Sequence, residues 1–137
     1  MVKEIDIKSR TILQESILCK SCGNIDIPIL TITNIPPNII RENPRTLKYI
    51  IMIARTHPGE TYGSWIMKGF INFILSEDPS AKYLRDNFIF KIVPMMNPDG
   101  VIAWNTRTCF LGNIKKVLIL IGSMPMLISI QVHKYIK

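Results

Sequence analysis

The chain has 137 residues, one domain's worth, with 47% hydrophobic and 20% charged residues, a balance that excludes a disordered chain. Its formal charge of +7 is unevenly placed: residues 1–107 contribute +3, and residues 108–137, with four lysines and no carboxylate, contribute +4. Basic and aromatic residues do not interleave on any strand pattern, so the charge does not indicate a nucleic-acid partner. Three cysteines make no disulfide framework and fit a reducing, cytoplasmic compartment.

The start of the chain, Met1 to Asp6, lacks the basic and apolar zones of a signal peptide. Thr11 to Cys19 and Ile25 to Thr33 read as two strands, joined by a turn whose tip is Gly23-Asn24. Cys19 and Cys22 form a lone C-x-x-C. No second ligand pair follows at zinc spacing, and a hairpin is not the strand-to-helix setting of a redox pair, so coincidence is the better reading. Asn34 to Arg45, with Pro36, Pro37 and Pro44, reads as a loop that no helix crosses. Leu47 to Ala54 is a nearly continuous apolar run, the pattern of a central strand covered on both faces.

From Thr61 to Ser76 the spacing turns helical, with Trp65, Ile66, Phe70, Phe73 and Ile74 on one stripe. Asp78 caps a second short helix that begins at Pro79 and ends near Asn87. Phe88 to Val93 is another strand, and Asn97-Pro-Asp-Gly100 is a turn. The order β-β-β-α-α-β defines an α/β domain, a mixed β-sheet with flanking helices. Val117 to Val132 carries no formal charge. It is shorter than the roughly 20 residues of a membrane span and is interrupted by Gly122 and Pro125. Two short strands about a Gly-Ser-Met-Pro turn explain it as well, and membrane insertion is the minority reading.

The most informative stretch is Ala54-Arg-Thr-His57-Pro-Gly-Glu60. It places an imidazole and a carboxylate three positions apart, around a Pro-Gly bend, between an apolar strand and a helix. Open α/β sheets bind ligands beyond the carboxyl ends of their strands, and the bend lets the two side chains converge as consecutive strand residues do not. Zinc takes a His nitrogen at about 2.0–2.1 Å and a carboxylate oxygen at about 2.0–2.2 Å. Glu60 also lies at a helix start, where the macrodipole favours its ionised form; the plainer alternative is that it only caps that helix.

Two strings, A-R-T-H-P-G-E-T-Y-G-S-W-I-M-K-G (54–69) and F-I-F-K-I-V-P-M-M-N-P-D-G-V (88–101), resemble the cytosolic carboxypeptidases, the tubulin-deglutamylase branch of the zinc metallocarboxypeptidases. C-G-N-I-D-I-P-I-L-T-I-T (22–33) is similar to the segment that leads into their sheet. The resemblance covers roughly residues 10–112. It implies a partial metallocarboxypeptidase-type (phosphorylase/hydrolase-like) domain in which His57 and Glu60 match the first two zinc ligands. Arg107, in Asn105-Thr-Arg107, matches the arginine that contacts substrate, polarising the scissile carbonyl and stabilising the oxyanion. A fixed guanidinium aimed at developing negative charge suits that role. Asn97, Asp99 and Gly100 are read as turn chemistry that places this arginine.

Beyond Gly112 the resemblance stops. The family continues with an Asp-Leu-Asn-Arg segment that holds the substrate's terminal carboxylate, whereas this chain reads Asn113-Ile-Lys-Lys116. Lys115 and Lys116 supply charge but lack the two-pronged arginine fork. The family's third zinc ligand lies in an Asp-Leu-His-Gly segment; His133 follows an apolar stretch but has neither the Asp nor the Gly, and it comes too soon after Arg107. The family's general base is a late Glu, and no Asp or Glu follows Asp99 here.

The expectation is therefore an amino-terminal part of a zinc carboxypeptidase-like catalytic domain over residues 1–112, followed by a divergent apolar and basic tail, 113–137. It implies a weak or incomplete Zn2+ site and a partner that is a peptide or protein C-terminus, glutamylated tubulin tails among them. Removal of C-terminal residues such as glutamate is the implied activity, with the chain itself an incomplete and inactive catalytic domain. Two alternatives from other classes are a non-catalytic binding module for acidic C-terminal peptides and a small membrane-associated protein held through residues 117–132.

Overall fold

A computed structural model describes residues 12–42 and 46–108. Their order is β1 (Leu13–Lys20), β2 (Asp26–Ile32), α1 (Pro37–Glu42), β3 (Tyr49–Ile53), α2 (Tyr62–Ile74), α3 (Pro79–Asn87), β4 (Ile89–Val93) and α4 (Pro98–Ile102). The strands form one mixed sheet in the order β1-β2-β4-β3, in keeping with the α/β class expected from the sequence. The pairs β1/β2 and β2/β4 are antiparallel, while β3/β4 is parallel from Tyr49 opposite Ile89 to Ile53 opposite Val93.

The β1–β2 connection is the hairpin expected at Gly23-Asn24. Asn24 takes φ 63, a left-handed conformation that Asn tolerates better than most residues. Its N–H donates to Ser21 O at 3.0 Å, and Ser21 N donates to Ile25 O at 2.8 Å. An exposed Lys20–Asp26 ion pair at 2.9 Å closes the last rung.

Alternation along the strands divides the core between the two faces of the sheet. Leu30, Ile32, Phe90 and Ile92 pack with Met67, Ile71 and Ile74 of α2 on one face. Ile27, Ile29, Val93 and Met96 cluster on the other, joined by the half-buried Leu18, Cys19 and Ile53. Covering on both faces thus belongs to β4, where every residue but Lys91 is buried. The expectation of a central strand at Leu47–Ala54 is corrected: β3 is half-buried throughout and lies at the sheet edge among the described residues.

Of the stripe expected on helix α2, Ile74 is buried and Phe70 packs against the core, but the rest of the inward face differs. Met67, Ile71 and Ile74, at positions i, i+4 and i+7, face the sheet. Trp65, Ile66 and Phe73 are exposed, Trp65 by 71%. Bulky aromatics dominated the periodic pattern, whereas the smaller Met67 and Ile71 fit against the strands.

The loop expected over Asn34–Arg45 contains α1, and the turn at Asn97-Pro-Asp-Gly100 opens α4. Both helices begin with proline, Pro37 and Pro98. At that first position the missing N–H has no intrahelical acceptor to lose, so proline starts a helix where it would break an interior. The start of α3 follows the sequence: Asp78 accepts from Ser80 N at 2.7 Å, with Pro79 at the first helical position. Among the described residues no helix is long and apolar enough to cross a membrane. Val117–Val132, Lys115, Lys116 and His133 lie outside the described residues.

Candidate metal and substrate site

The parallel pair β3/β4 delivers two loops side by side at its carboxyl end, residues 54–61 and residues 94–108. Backbone bonds join them into one unit. Ala54 N donates to Val93 O at 3.0 Å, Met96 N to Ala54 O at 3.0 Å, Asn97 N to Arg55 O at 3.1 Å and Gly59 N to Thr106 O at 2.9 Å. Two glycines permit this contact. A Cβ on Gly59 would lie 3.0 Å from Thr106 O. One on Gly100 would run into Pro58 Cγ and lie 2.7 Å from Thr108 O.

His57 is half-buried on the first loop. Its Nδ1 is buried and has no hydrogen-bond partner among the described residues, an expensive state for a polar nitrogen unless a ligand takes it. Glu60 follows across the bend, with its N–H donating to His57 O at 3.2 Å. Glu60 directly precedes Thr61, the residue that flanks the start of α2 and makes no side-chain cap bond there. The Glu60 carboxylate accepts a hydrogen bond from the Tyr62 phenol. Desolvation of the phenol, and then the charge and hydrogen bond of Glu60, raise the Tyr62 pKa above its usual 10.0, while the Arg107 charge works against them. Glu60, Tyr62 and Arg107 therefore share one electrostatic neighbourhood.

Arg107 is exposed on the second loop, beyond α4. Its approach is fixed by Asn105 N donating to Gly100 O at 2.9 Å and by the Thr106 carbonyl bound to Gly59. Asn97 caps the short helix by accepting from Gly100 N at 3.0 Å. Asp99 is buried and serves the hairpin: it accepts from Ser21 Oγ at 2.7 Å and from Gly23 N at 3.0 Å. The sequence suggested turn chemistry that places Arg107; the Asp99 carboxylate instead ties α4 to the β1–β2 turn. Cys19 and Cys22 are free thiols beside that turn, half-buried and exposed respectively.

Two residues of the site escaped sequence reasoning. Tyr62 carried no signal beyond its nearness to Glu60. Arg55 takes φ 54 and donates to both Pro58 O and Ser64 Oγ, and a lone arginine after a strand does not announce either feature. As for a metal, an orphaned imidazole nitrogen and a carboxylate are a chemically fitting donor pair for zinc. Among the described residues no group of three His, Cys, Asp or Glu side chains comes together, whereas a catalytic zinc takes three protein ligands.

The sequence profile of the zinc carboxypeptidase family matches residues 2–115, and the chain belongs to that family. Among its relatives, cytosolic carboxypeptidase 2 of Xenopus tropicalis is 53% identical over 95 residues, 69% of this chain and 10% of that protein. Human cytosolic carboxypeptidase 4 is 42% identical over 113 residues, covering 80% of this chain and 10% of the relative. In structure, the chain is similar to a metallo-carboxypeptidase from Burkholderia cenocepacia. That likeness has a TM-score of 0.65 at 28% identity, over 77% of this chain and 27% of the other. The chain thus spans about a tenth of the length of these curated relatives.

Proposed function

We propose that these residues carry the first portion of a zinc carboxypeptidase active site of the cytosolic branch, with His57 and Glu60 as two protein ligands to zinc and Arg107 as the substrate's guanidinium partner. The observation that carries the reading is the buried, unpartnered Nδ1 of His57, one Pro-Gly bend away from Glu60 at the carboxyl end of a parallel strand pair. When bound, zinc supplies Lewis acidity and lowers the pKa of a water toward neutrality. Tyr62, through its hydrogen bond, orients the Glu60 carboxylate. Arg107 offers a permanent positive charge to the carbonyl oxygen of a peptide as that oxygen gains negative charge.

No match for the family's late general base occurs within these 137 residues. Asp99 is the last carboxylate in the sequence, and its two oxygens are engaged by Ser21 and Gly23. An Asn-Arg pair to grip a terminal carboxylate does not follow Gly112 either. The 137 residues alone should hold zinc weakly and hydrolyse peptides very slowly or not at all. The substrate class of the site is a peptide or protein C-terminus, with glutamylated tails in the cytoplasm as the leading case.

Glutamate release from a C-terminally polyglutamylated peptide, with and without added zinc, tests this. We expect no zinc-dependent release above the peptide-only rate. Release that zinc supports and His57→Ala abolishes would overturn the expectation of silence, and salt-sensitive peptide binding that ignores zinc would favour a binding module.

A further inference from the structure

One side chain ties together the arch that carries His57 and Glu60. Arg55 leaves β3 with φ 54, a conformation routine for glycine and uncommon for a long side chain. Its guanidinium turns back along the arch: Nη2 donates to Pro58 O at 2.7 Å and Nη1 to Ser64 Oγ at 2.9 Å. Its carbonyl accepts from Asn97 N at 3.1 Å. A single residue therefore joins the end of β3, the bend between the two donor residues, the first turn of α2 and the loop ahead of α4. The remaining guanidinium nitrogen, Nε, is buried without a partner among the described residues. A left-handed backbone and an unsatisfied buried N–H at one position mark a conformation held in place by its surroundings, of the kind that gathers at functional sites.

We propose that Arg55 is a positioning residue for the metal site: its fork fixes the Pro58 carbonyl and the start of α2, and so sets the relative aim of His57 and Glu60. The proposal rests on reading those two residues as zinc donors. Groups that orient metal ligands by direct hydrogen bonds typically carry about 10- to 100-fold in metal affinity; Arg55 acts one step further out, on the backbone between the two donors. Lysine cannot reproduce the planar fork.

Arg55→Gly in the full chain separates the clasp from the fold, because glycine accepts the left-handed conformation without strain. With far-UV circular dichroism unchanged, its zinc dissociation constant should rise about 10- to 100-fold, and the visible absorption of its cobalt(II) form should change. Arg55→Lys should fall between the two. Charge alone predicts the opposite sign, since deleting a cation near a dication site favours metal binding. Parental zinc affinity and an unaltered cobalt(II) spectrum in Arg55→Gly would overturn the proposal.

A metal-free readout accompanies this. The amides of Gly59, Glu60 and Thr61 donate to Thr106, His57 and Gly59 carbonyls. In Arg55→Gly their hydrogen exchange should quicken by about tenfold or more while β2 and β4 stay protected. If the parent chain binds neither zinc nor cobalt, the metal-centre reading falls. Exchange then decides the role of Arg55 alone, and unchanged rates would refute it.

Discussion

A buried imidazole nitrogen without a partner, as at His57, is a rare state that asks for a ligand. Asp99, fully occupied, is its opposite. Its carboxylate joins α4 to a hairpin turn 76 and 78 residues away in sequence, and a Cβ on Gly23 would sit 2.6 Å from it. Asp99→Ala strands the Gly23 N–H and the Ser21 hydroxyl, and it should destabilise the chain by about 2–3 kcal/mol. Urea unfolding measures this; a loss below about 0.5 kcal/mol, the range of an idle surface site, would deny the contact its importance. The placement of His57 and Glu60 just beyond the end of a strand was legible in the sequence, because both lie in one compact motif between an apolar run and a helix. The partners of Asp99 were not, since a contact across three-quarters of a domain leaves no local pattern.

Lys91 is the other residue with a measurable signature. It sits in the middle of β4, half-buried, and donates to Thr31 Oγ1 at 2.8 Å. Burial lowers its pKa from the usual 10.5. The folded value lies below the unfolded one, so within that window the unfolded chain binds more protons, and raising the pH stabilises the fold. Below the folded value the full penalty for the buried charge persists. The urea midpoint of the parent, relative to that of Lys91→Met, should therefore climb as the pH rises toward 10.5. Parallel pH profiles for the two proteins would contradict this.

At the scale of elements, helix α2 ends on an arginine from its neighbour. Arg85 of α3 is buried and donates from Nη1 to Ile74 O at 2.6 Å and to Ser76 O at 2.8 Å, while Nε reaches Asn34 Oδ1 at 3.3 Å. A cation there satisfies carbonyls that a helix terminus leaves open and complements its dipole. Arg85→Ala should destabilise the fold by about 2–4 kcal/mol, through lost charge-assisted bonds and orphaned carbonyls. Lys82→Ala, which removes only an exposed ion pair to Asp86 four residues on, should lie within about 0.5 kcal/mol of the parent. Equal effects of the two in thermal or urea unfolding would show that Arg85 is not the clamp.

The elements themselves were legible where period and caps agreed: both strands of the hairpin, β4, α2 and α3. Helix α1 was missed because proline was taken as a stop where it stands at a start, and α4 because Asn-Pro-Asp-Gly reads as a turn, which here continues into a short helix. The inward face of α2 was read in part: Phe70 and Ile74 pack inward as expected, but size and aromaticity are not burial, and Trp65 and Ile66 face outward while Met67 and Ile71 face inward. The edge position of β3 could not be read from composition at all. An apolar run tells how many faces are apolar, not which strands lie beside it.

For the whole molecule, both faces of one mixed sheet bury a core, and the parallel pair β3/β4 brings two loops together at a single end. Three backbone bonds between those loops make the His57–Glu60 bend and the Arg107 approach parts of one corner. It lies within residues 2–115, which match the zinc carboxypeptidase family. Its chemistry depends on whether the two donors act together on a metal. A competition titration of zinc against a chromophoric chelator asks this most directly. One zinc should bind per chain, more weakly than in a complete three-ligand site; His57→Ala and Glu60→Ala should each abolish it, and Arg107→Ala should leave it intact. Zinc binding that survives both donor substitutions, or no binding by the parent at any concentration, would contradict the metal centre.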